Sequence, residues 1–286
     1  MDPSTELKEG YPKIILFGDS LTERSFDVAN KGFGATLQNY YARRADVVNR
    51  GFSGYNTRWL LPHFDTIVRQ LQGANSSPPL FFTIFLGAND AILPKFSQHV
   101  PLPEYEANLR YYVDILLAHP MTKGTKIILI TPPPIDILPS TEDEVDIPAL
   151  HKQPSHEPFD IGYQTWLNKK KYAEKVMEIA KSYEGHAGTV AGLDFWTAMI
   201  NYGRVVGKEN GTVDDEKPPG SGLPGAVYFG REVFLDGLHL GPLGYDVLSN
   251  ELLSLLTTKW PELRKESIPL QVGTLKLAPS DTTQYG

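Results

Sequence analysis

Five short apolar runs recur along the chain, and their alternation with helical stretches is the feature that most constrains its fold. The segments between the runs carry apolar residues three and four positions apart, as on one face of a helix. Strands and helices in regular succession indicate βαβ units, which build a parallel sheet with helices on its faces. We therefore predict an α/β fold with strands at about residues 13–17, 46–49, 80–86, 126–131 and 189–193.

Two stretches fall outside this alternation. The first, at about 135–165, follows Pro132-Pro133-Pro134, is acidic and contains His151 and His156. A loop of this length is a mobile surface insertion or a lid over a pocket. The second, at about 203–230, contains a G-x-G-x-x-G pattern, but a proline inside it and the lack of a preceding strand exclude dinucleotide binding. We predict a single domain over 1–286, with a core at about 12–260, helices at 33–44, 59–71, 105–118, 166–183 and 243–258, and a C-terminal tail over 261–286.

The composition limits the partners. The 286 residues carry a formal net charge of -7, which disfavours nucleic acid and anionic membrane surfaces. The absence of cysteine excludes disulfides and thiol catalysis. The N-terminus lacks a signal-peptide pattern, and no apolar run approaches the ~18 residues of a membrane span. We predict a cytoplasmic protein with a small-molecule substrate, no cofactor, no metal and no stable membrane association, and the sequence leaves open a homo-oligomer.

One run of like charge occurs in the predicted helix at 166–183. Lys169-Lys170-Lys171 is predicted to lie on the solvated face of this helix.

A serine lies on a sharp turn directly after the first apolar run. Gly18-Asp19-Ser20-Leu21 follows the predicted strand, and the N–H groups at the start of the next helix lie beside the Ser20 hydroxyl without intrahelical partners. This position suits a nucleophile. Asp19-Ser20 also fits an ordinary helix cap, so this segment alone does not decide between the two.

Three further segments lie at the ends or edges of predicted elements, and with the serine turn they resemble the four sequence blocks of the SGNH, or GDSL, hydrolase superfamily. They contain Gly54, Gly87-Ala88-Asn89-Asp90 and Asp236-Gly237-Leu238-His239, in the order of the family. Residues 54–59 and 235–240 are most similar to its isoamyl acetate-hydrolysing esterase branch. The resemblance covers roughly residues 12–260. It implies a three-layer α/β/α sandwich with a five-stranded, flavodoxin-like parallel sheet, in which His239 lies beside Ser20, and an esterase for small acyl groups.

The chemistry of the same residues predicts an acyl-transfer site. A serine hydroxyl needs a base, and His239 is the histidine with the best supporting context. Asp236, three residues earlier, can accept a hydrogen bond from one ring nitrogen while the other faces Ser20. A glycine-rich loop with a capping aspartate is the alternative. The predicted donors to the oxyanion are the backbone N–H groups of Ser20 and Gly54 and the side-chain amide of Asn89, which could otherwise be a helix cap.

We also predict that Asp19, Arg58 and Trp59 contact the substrate, although Arg58 and Trp59 equally fit a helix start. Taken together, the sequence predicts a serine esterase that hydrolyses short-chain, acetate-type esters through an acyl-enzyme. A lysophospholipase, a thioesterase or a carbohydrate deacetylase is the enzymatic alternative, and a catalytically silent binding protein is the alternative of another class. The residues that line the substrate pocket determine which of these substrates is cleaved, and the motifs do not identify those residues.

Overall fold

A five-stranded parallel sheet forms the centre of the protein. The computed structural model describes residues 11–71, 78–138, 158–186, 188–209, 214 and 216–271. The strands are β1 (Lys13–Gly18), β2 (Asp46–Gly51), β3 (Phe81–Phe85), β4 (Lys126–Ile130) and β5 (Val190–Leu193), in the spatial order β2-β1-β3-β4-β5. This arrangement confirms the predicted α/β fold with five parallel strands.

Helices cover both faces of the sheet. They are α1 (Ser20–Glu23), α2 (Phe33–Tyr40), α3 (Thr57–Arg69), α4 (Leu102–Ala118), α5 (Pro158–Ser182), α6 (Phe195–Glu209) and α7 (Pro242–Lys259). Successive strand residues point to opposite faces. Ile14 and Leu16 of β1 therefore pack with α2, α6 and α7, whereas Ile15 and Phe17 pack with α3, α4 and most of α5. The two cores make the three-layer sandwich, and no helix within the described ranges is long and apolar enough to cross a membrane.

Helices α5 and α6 extend into the two stretches that were predicted to be irregular. Helix α5 begins at Pro158, not near Trp166, since proline is favoured in a first helical turn. Helix α6 was not predicted, and it enters the predicted 203–230 loop. A Cβ added at Gly203 would lie 2.6 Å from the Pro219 side chain, so this glycine permits close packing instead of marking a loop. Residues 139–157, which include His151, His156 and most of the predicted insertion or lid, lie outside the described residues.

The described part of the C-terminal tail packs against the end of α2 and forms two short 3-10 turns. The Tyr41 hydroxyl donates to the Leu263 carbonyl at 2.8 Å, and the Gln271 N–H donates to the Arg43 carbonyl at 2.9 Å. Tyr41 itself is fully buried, so its hydroxyl needs this acceptor. Residues 272–286 lie outside the described residues.

Candidate active site

The candidate residues gather at the carboxyl edge of the sheet. Ser20 follows β1, Gly54 follows β2 and Asn89 follows β3, and parallel strands present these ends on one side. The turns are joined directly, because the Phe52 N–H donates to the Gly18 carbonyl at 2.9 Å. His239 reaches the same edge from the loop before α7. The fold thus brings four segments that are distant in sequence to one place.

Ser20, His239 and Asp236 form one hydrogen-bonded chain. His239 Nε2 lies 3.1 Å from Ser20 Oγ, and His239 Nδ1 lies 2.6 Å from Asp236 Oδ2. Ser20 is 5% exposed and His239 is 7% exposed. A carboxylate can only accept, so Nδ1 carries the proton and Nε2 is free to accept the proton of the serine hydroxyl. This arrangement can activate Ser20 as a nucleophile.

The Asp236 loop is held by its own side chain. Asp236 Oδ1 accepts from the N–H groups of Leu238 at 3.1 Å and of His239 at 2.8 Å, and Gly237 between them has a φ of 84°. The positive φ favours glycine at this turn. Burial acts to raise the pKa of Asp236, but the hydrogen bonds and charge of His239 outweigh it and hold that pKa below its ordinary value. Asp236 therefore stays ionised beside the imidazole.

The three predicted oxyanion donors occupy neighbouring turns. Asn89 is buried, and its Nδ2 donates one hydrogen to the Tyr55 carbonyl at 2.7 Å, which leaves a second amide hydrogen for a ligand. Gly54 has a φ of 80°, and its carbonyl accepts from Gln98 Nε2 at 2.9 Å, which fixes the adjoining peptide. Ser20 is the first residue of α1, where an N–H has no intrahelical partner. Their role as oxyanion donors stays a prediction.

The three predicted substrate contacts have different environments. Asp19 is 1% exposed and caps α1 by accepting from the Leu21 N–H at 2.9 Å, so its carboxylate has a partner within its own turn. Its contact with a substrate stays a prediction. The Arg58 guanidinium makes two hydrogen bonds, of 2.5 and 2.6 Å, to the carboxylate of Glu104, and the structure therefore gives it a partner other than the substrate.

Trp59 is the remaining substrate contact that the sequence predicts. Its ring is 38% exposed and lies edge-on to that of Tyr55, with the ring centroids 6.3 Å apart. The Tyr55 carbonyl in turn accepts from Asn89. A contact between Trp59 and the substrate therefore stays a prediction that the structure allows.

Asp136 is a buried residue of the site region that the sequence analysis missed. It follows β4, its N–H donates to the Gly237 carbonyl at 2.8 Å, and its two carboxyl oxygens accept from the N–H groups of Phe229 and Gly230 at 3.0 and 2.9 Å. It therefore ties the end of β4 to the loop that carries His239. An acidic residue shortly after an apolar run was the available signal.

We expect Asp136→Asn to change how stability depends on pH. Burial raises the pKa of Asp136 to about 7, against the hydrogen bonds from Phe229 and Gly230. A raised folded-state pKa contributes stability that is fully present below about pH 4 and is lost as the pH rises through about 7. Asparagine also has only one side-chain oxygen to accept the two hydrogen bonds from Phe229 and Gly230. Urea unfolding should show the variant less stable by ~1–3 kcal/mol at pH 5, with a smaller difference at pH 8. An equal difference at both pH values would contradict this.

The described residues contain no group of three or more His, Asp or Glu side chains that could hold a metal ion. The triad itself presents a hydroxyl, an imidazole and a carboxylate in line. Such a set of groups can activate a serine hydroxyl for attack on an acyl carbon.

Comparisons with known proteins agree with this geometry. A family model described as GDSL-like lipase/acylhydrolase matches residues 14–252. The chain is 35% identical to the isoamyl acetate-hydrolyzing esterase 1 homolog of Rattus norvegicus over 253 residues, which cover 87% of this chain and 83% of that protein. It is 49% identical over 127 residues to a GDSL esterase/lipase of Arabidopsis thaliana, and this match covers 43% of the chain and about half (51%) of the relative.

A solved structure shows the same fold. The crystal structure of a member of the lipolytic protein G-D-S-L family from Veillonella parvula superposes with a TM-score of 0.55. The match covers 86% of this chain and 98% of that protein at 15% sequence identity. At this identity the likeness concerns the arrangement of the strands and helices alone.

Proposed function

The chain belongs to the GDSL-like lipase/acylhydrolase family and is a carboxylic ester hydrolase, and from this we propose that it cleaves short-chain, acetate-type esters through an acyl-enzyme on Ser20. The observation that carries the proposal is the continuous hydrogen-bonded chain from Ser20 Oγ through His239 to Asp236. Each of the three groups has the partner that its proposed role requires.

The first half of the proposed reaction forms the acyl-enzyme. Ser20 Oγ attacks the ester carbonyl carbon while its proton passes to His239 Nε2, and Asp236 stabilises the imidazolium that results. The carbonyl oxygen becomes an oxyanion, which accepts hydrogen bonds from Ser20, Gly54 and Asn89. The tetrahedral intermediate then collapses, the bond to the alcohol oxygen breaks, and the alcohol leaves with the proton from His239.

The second half repeats these steps with water. His239 takes a proton from a water molecule, whose oxygen attacks the acyl carbon, and the same three donors hold the second oxyanion. The bond to Ser20 Oγ then breaks, the proton returns to Ser20, and the carboxylic acid leaves. No cofactor takes part in the proposed reaction, because every proton that moves has a donor and an acceptor within the site.

Two observations support a small, neutral ester. The rat relative is named for isoamyl acetate. The negative net charge disfavours an anionic membrane surface and fits a small, neutral ester. A cytoplasmic location is part of this proposal, and imaging of a fluorescent fusion tests it.

The acyl preference is tested with p-nitrophenyl esters of increasing chain length. We expect kcat/KM to be highest for acetate or butyrate and to fall at least ~10-fold by the octanoate, because a pocket of fixed size excludes longer chains. The Ser20→Ala variant measures the background at each length. A rate that keeps rising to the longest chain would contradict the acetate-type preference and favour a lysophospholipase. Absence of turnover at every length would favour a carbohydrate deacetylase or a binding protein.

A further inference from the structure

A lysine lies buried beneath the turn that carries Asn89, one of the predicted oxyanion donors. Lys169, on α5, is 2% exposed, whereas the side chain of its neighbour Lys170 is 48% exposed. The prediction of a solvated face for all three lysines is therefore wrong for Lys169, because α5 turns this position toward the carboxyl edge of the sheet. A cation at such a site loses its hydration, which costs several kcal/mol unless other groups compensate for it.

The contacts of Lys169 are with the turn that carries Asn89. Its Nζ donates to the Ala88 carbonyl at 2.6 Å, and that carbonyl belongs to the same peptide group as the Asn89 N–H. The preceding residue, Asn168, donates from Nδ2 to the Ala91 carbonyl at 2.7 Å. Two consecutive side chains of α5 thus hold both sides of Asn89.

Two carboxylates share the charge of this lysine. Asp19 directly precedes Ser20, and Asp90 directly follows Asn89; both are buried, and both interact electrostatically with Lys169. One oxygen of each is anchored, Asp19 to its own turn and Asp90 to the Thr57 N–H and hydroxyl at 2.9 and 2.5 Å. The Oδ2 atoms of both are buried without a hydrogen-bond partner among the described residues.

The charges explain why the position holds a lysine. Burial raises the pKa of Asp19 to about 7 and that of Asp90 to about 6, and it lowers the pKa of Lys169 to about 8. The Coulombic interactions with Lys169 oppose these shifts for both carboxyl groups. If the side chain at position 169 served only to fill space, an uncharged side chain of the same length would pack there without the cost of removing a charge from water.

We propose that Lys169 is a positioning residue for the oxyanion hole. It aligns the hole by donating a hydrogen bond to the Ala88 carbonyl and by balancing the negative charges of Asp19, which precedes Ser20, and of Asp90, which follows Asn89. The proposal rests on the function proposed above. The lysine acts through the peptide of Asn89 and touches no reacting atom. A donor that moves by a fraction of an ångström binds the oxyanion less well, and the effect falls on the transition state more than on substrate binding.

The first test is Lys169→Met, which keeps the length of the side chain and removes the charge and the hydrogen bond. We expect kcat for p-nitrophenyl acetate to fall ~10- to 100-fold with KM changed less than about threefold. Lys175→Met is the matched control, since it removes another lysine of α5 that pairs with Glu106 at the surface. Its kcat should equal that of the intact protein. A kcat of Lys169→Met equal to that of the intact protein would overturn the proposal.

The second test restores the charge chemically. The chain contains no cysteine, so Lys169→Cys introduces a single thiol. Alkylation in denaturant with 2-bromoethylamine forms a thioether that ends in an ammonium group, and alkylation with 1-bromopropane forms a neutral one. After refolding, the aminoethyl protein should regain most of the lost kcat and the propyl protein should not. Equal kcat for the two folded proteins would overturn the proposal. The intact protein, carried through the same treatment, controls for refolding.

Failure of Lys169→Met to fold and lack of activity in the intact protein lead to different conclusions. If Lys169→Met does not fold, the double variant with Asp90→Asn removes the excess negative charge, and its kcat should still lie at least ~10-fold below that of Asp90→Asn alone. Equal kcat, or failure of the double variant to fold, assigns Lys169 to folding and overturns the proposal. Lack of Ser20-dependent turnover in the intact protein is a failure of the proposed function instead, so the intact protein and Ser20→Ala accompany every assay.

Discussion

Replacing Ser20 with alanine should lower kcat/KM for p-nitrophenyl acetate by at least ~1000-fold, equivalent to about 4 kcal/mol of transition-state stabilisation. The variant has no atom that can attack the ester carbonyl, so only catalysis by the remaining groups persists. The alanine loses one hydroxyl and its 3.1 Å contact with His239 Nε2. The fold should tolerate this change. Initial rates measured beside circular dichroism and thermal unfolding separate loss of chemistry from loss of structure.

Ser249→Ala is the matched control for this experiment. Ser249, on α7, is 6% exposed against 5% for Ser20, and its hydroxyl has no hydrogen-bond partner among the described residues. Its removal should leave kcat/KM within about twofold of the intact protein, because its hydroxyl makes no hydrogen bond to the proposed triad. Retention of more than a tenth of the activity by a folded Ser20→Ala variant would show that another group attacks the ester.

Replacing Asp236 with asparagine should lower kcat by ~1000-fold or more, because it reverses the hydrogen bonding of the imidazole. The amide oxygen can still accept from the backbone N–H groups of Leu238 and His239, so the turn keeps its shape. The amide nitrogen then faces His239 Nδ1, at the place of the present 2.6 Å contact, and donates to it. The ring proton moves to Nε2, which can no longer accept the proton of Ser20. KM should change little.

Asp246→Asn is the control for the aspartate. The side chains of Asp236 and Asp246 are both 40% exposed, and Asp246 pairs with Lys31 at the surface instead of with a residue of the proposed triad. Exposed pairs of this kind contribute little to stability, so this variant should keep the activity of the intact protein. If Asp236→Asn keeps full activity, His239 does not need the carboxylate and the triad mechanism is contradicted.

The sequence predicted the sheet well because its signals are local. The central strands β1, β3 and β4 are apolar runs buried on both faces, and all five residues of β3 are buried. The edge strand β2 has the weaker signal, since only Val47 and Val48 of its six residues are apolar and none is fully buried. The predicted helices failed where glycine and proline were interpreted as loop signals. Helix α6 contains Gly203 and Gly207, and the packing of Gly203 against Phe229 depends on residues far along the chain. No local pattern reports such a contact.

The site was predictable to the extent that its residues follow strand ends or lie within one turn. The three-residue spacing of Asp236 and His239 and the glycine between them appear in the sequence, and the structure joins these residues to Ser20. The contacts of the supporting residues were not predictable, although an acidic residue after an apolar run marked the position of Asp136. Lys169 and Asp136 act through hydrogen bonds to Ala88 and to Phe229, which lie more than 80 residues away in the chain. Only the folded topology brings those pairs together.

The central claim is that Ser20 carries the acyl group during turnover. The most direct measurement is intact-protein mass spectrometry of samples quenched with acid during hydrolysis of p-nitrophenyl acetate, followed by peptide mapping. The account predicts one added acetyl group on the peptide that contains Ser20, formed at the rate of the p-nitrophenol burst and absent from Ser20→Ala. An acetyl group on another residue that disappears at the rate of turnover, or a burst that persists in Ser20→Ala, would contradict it.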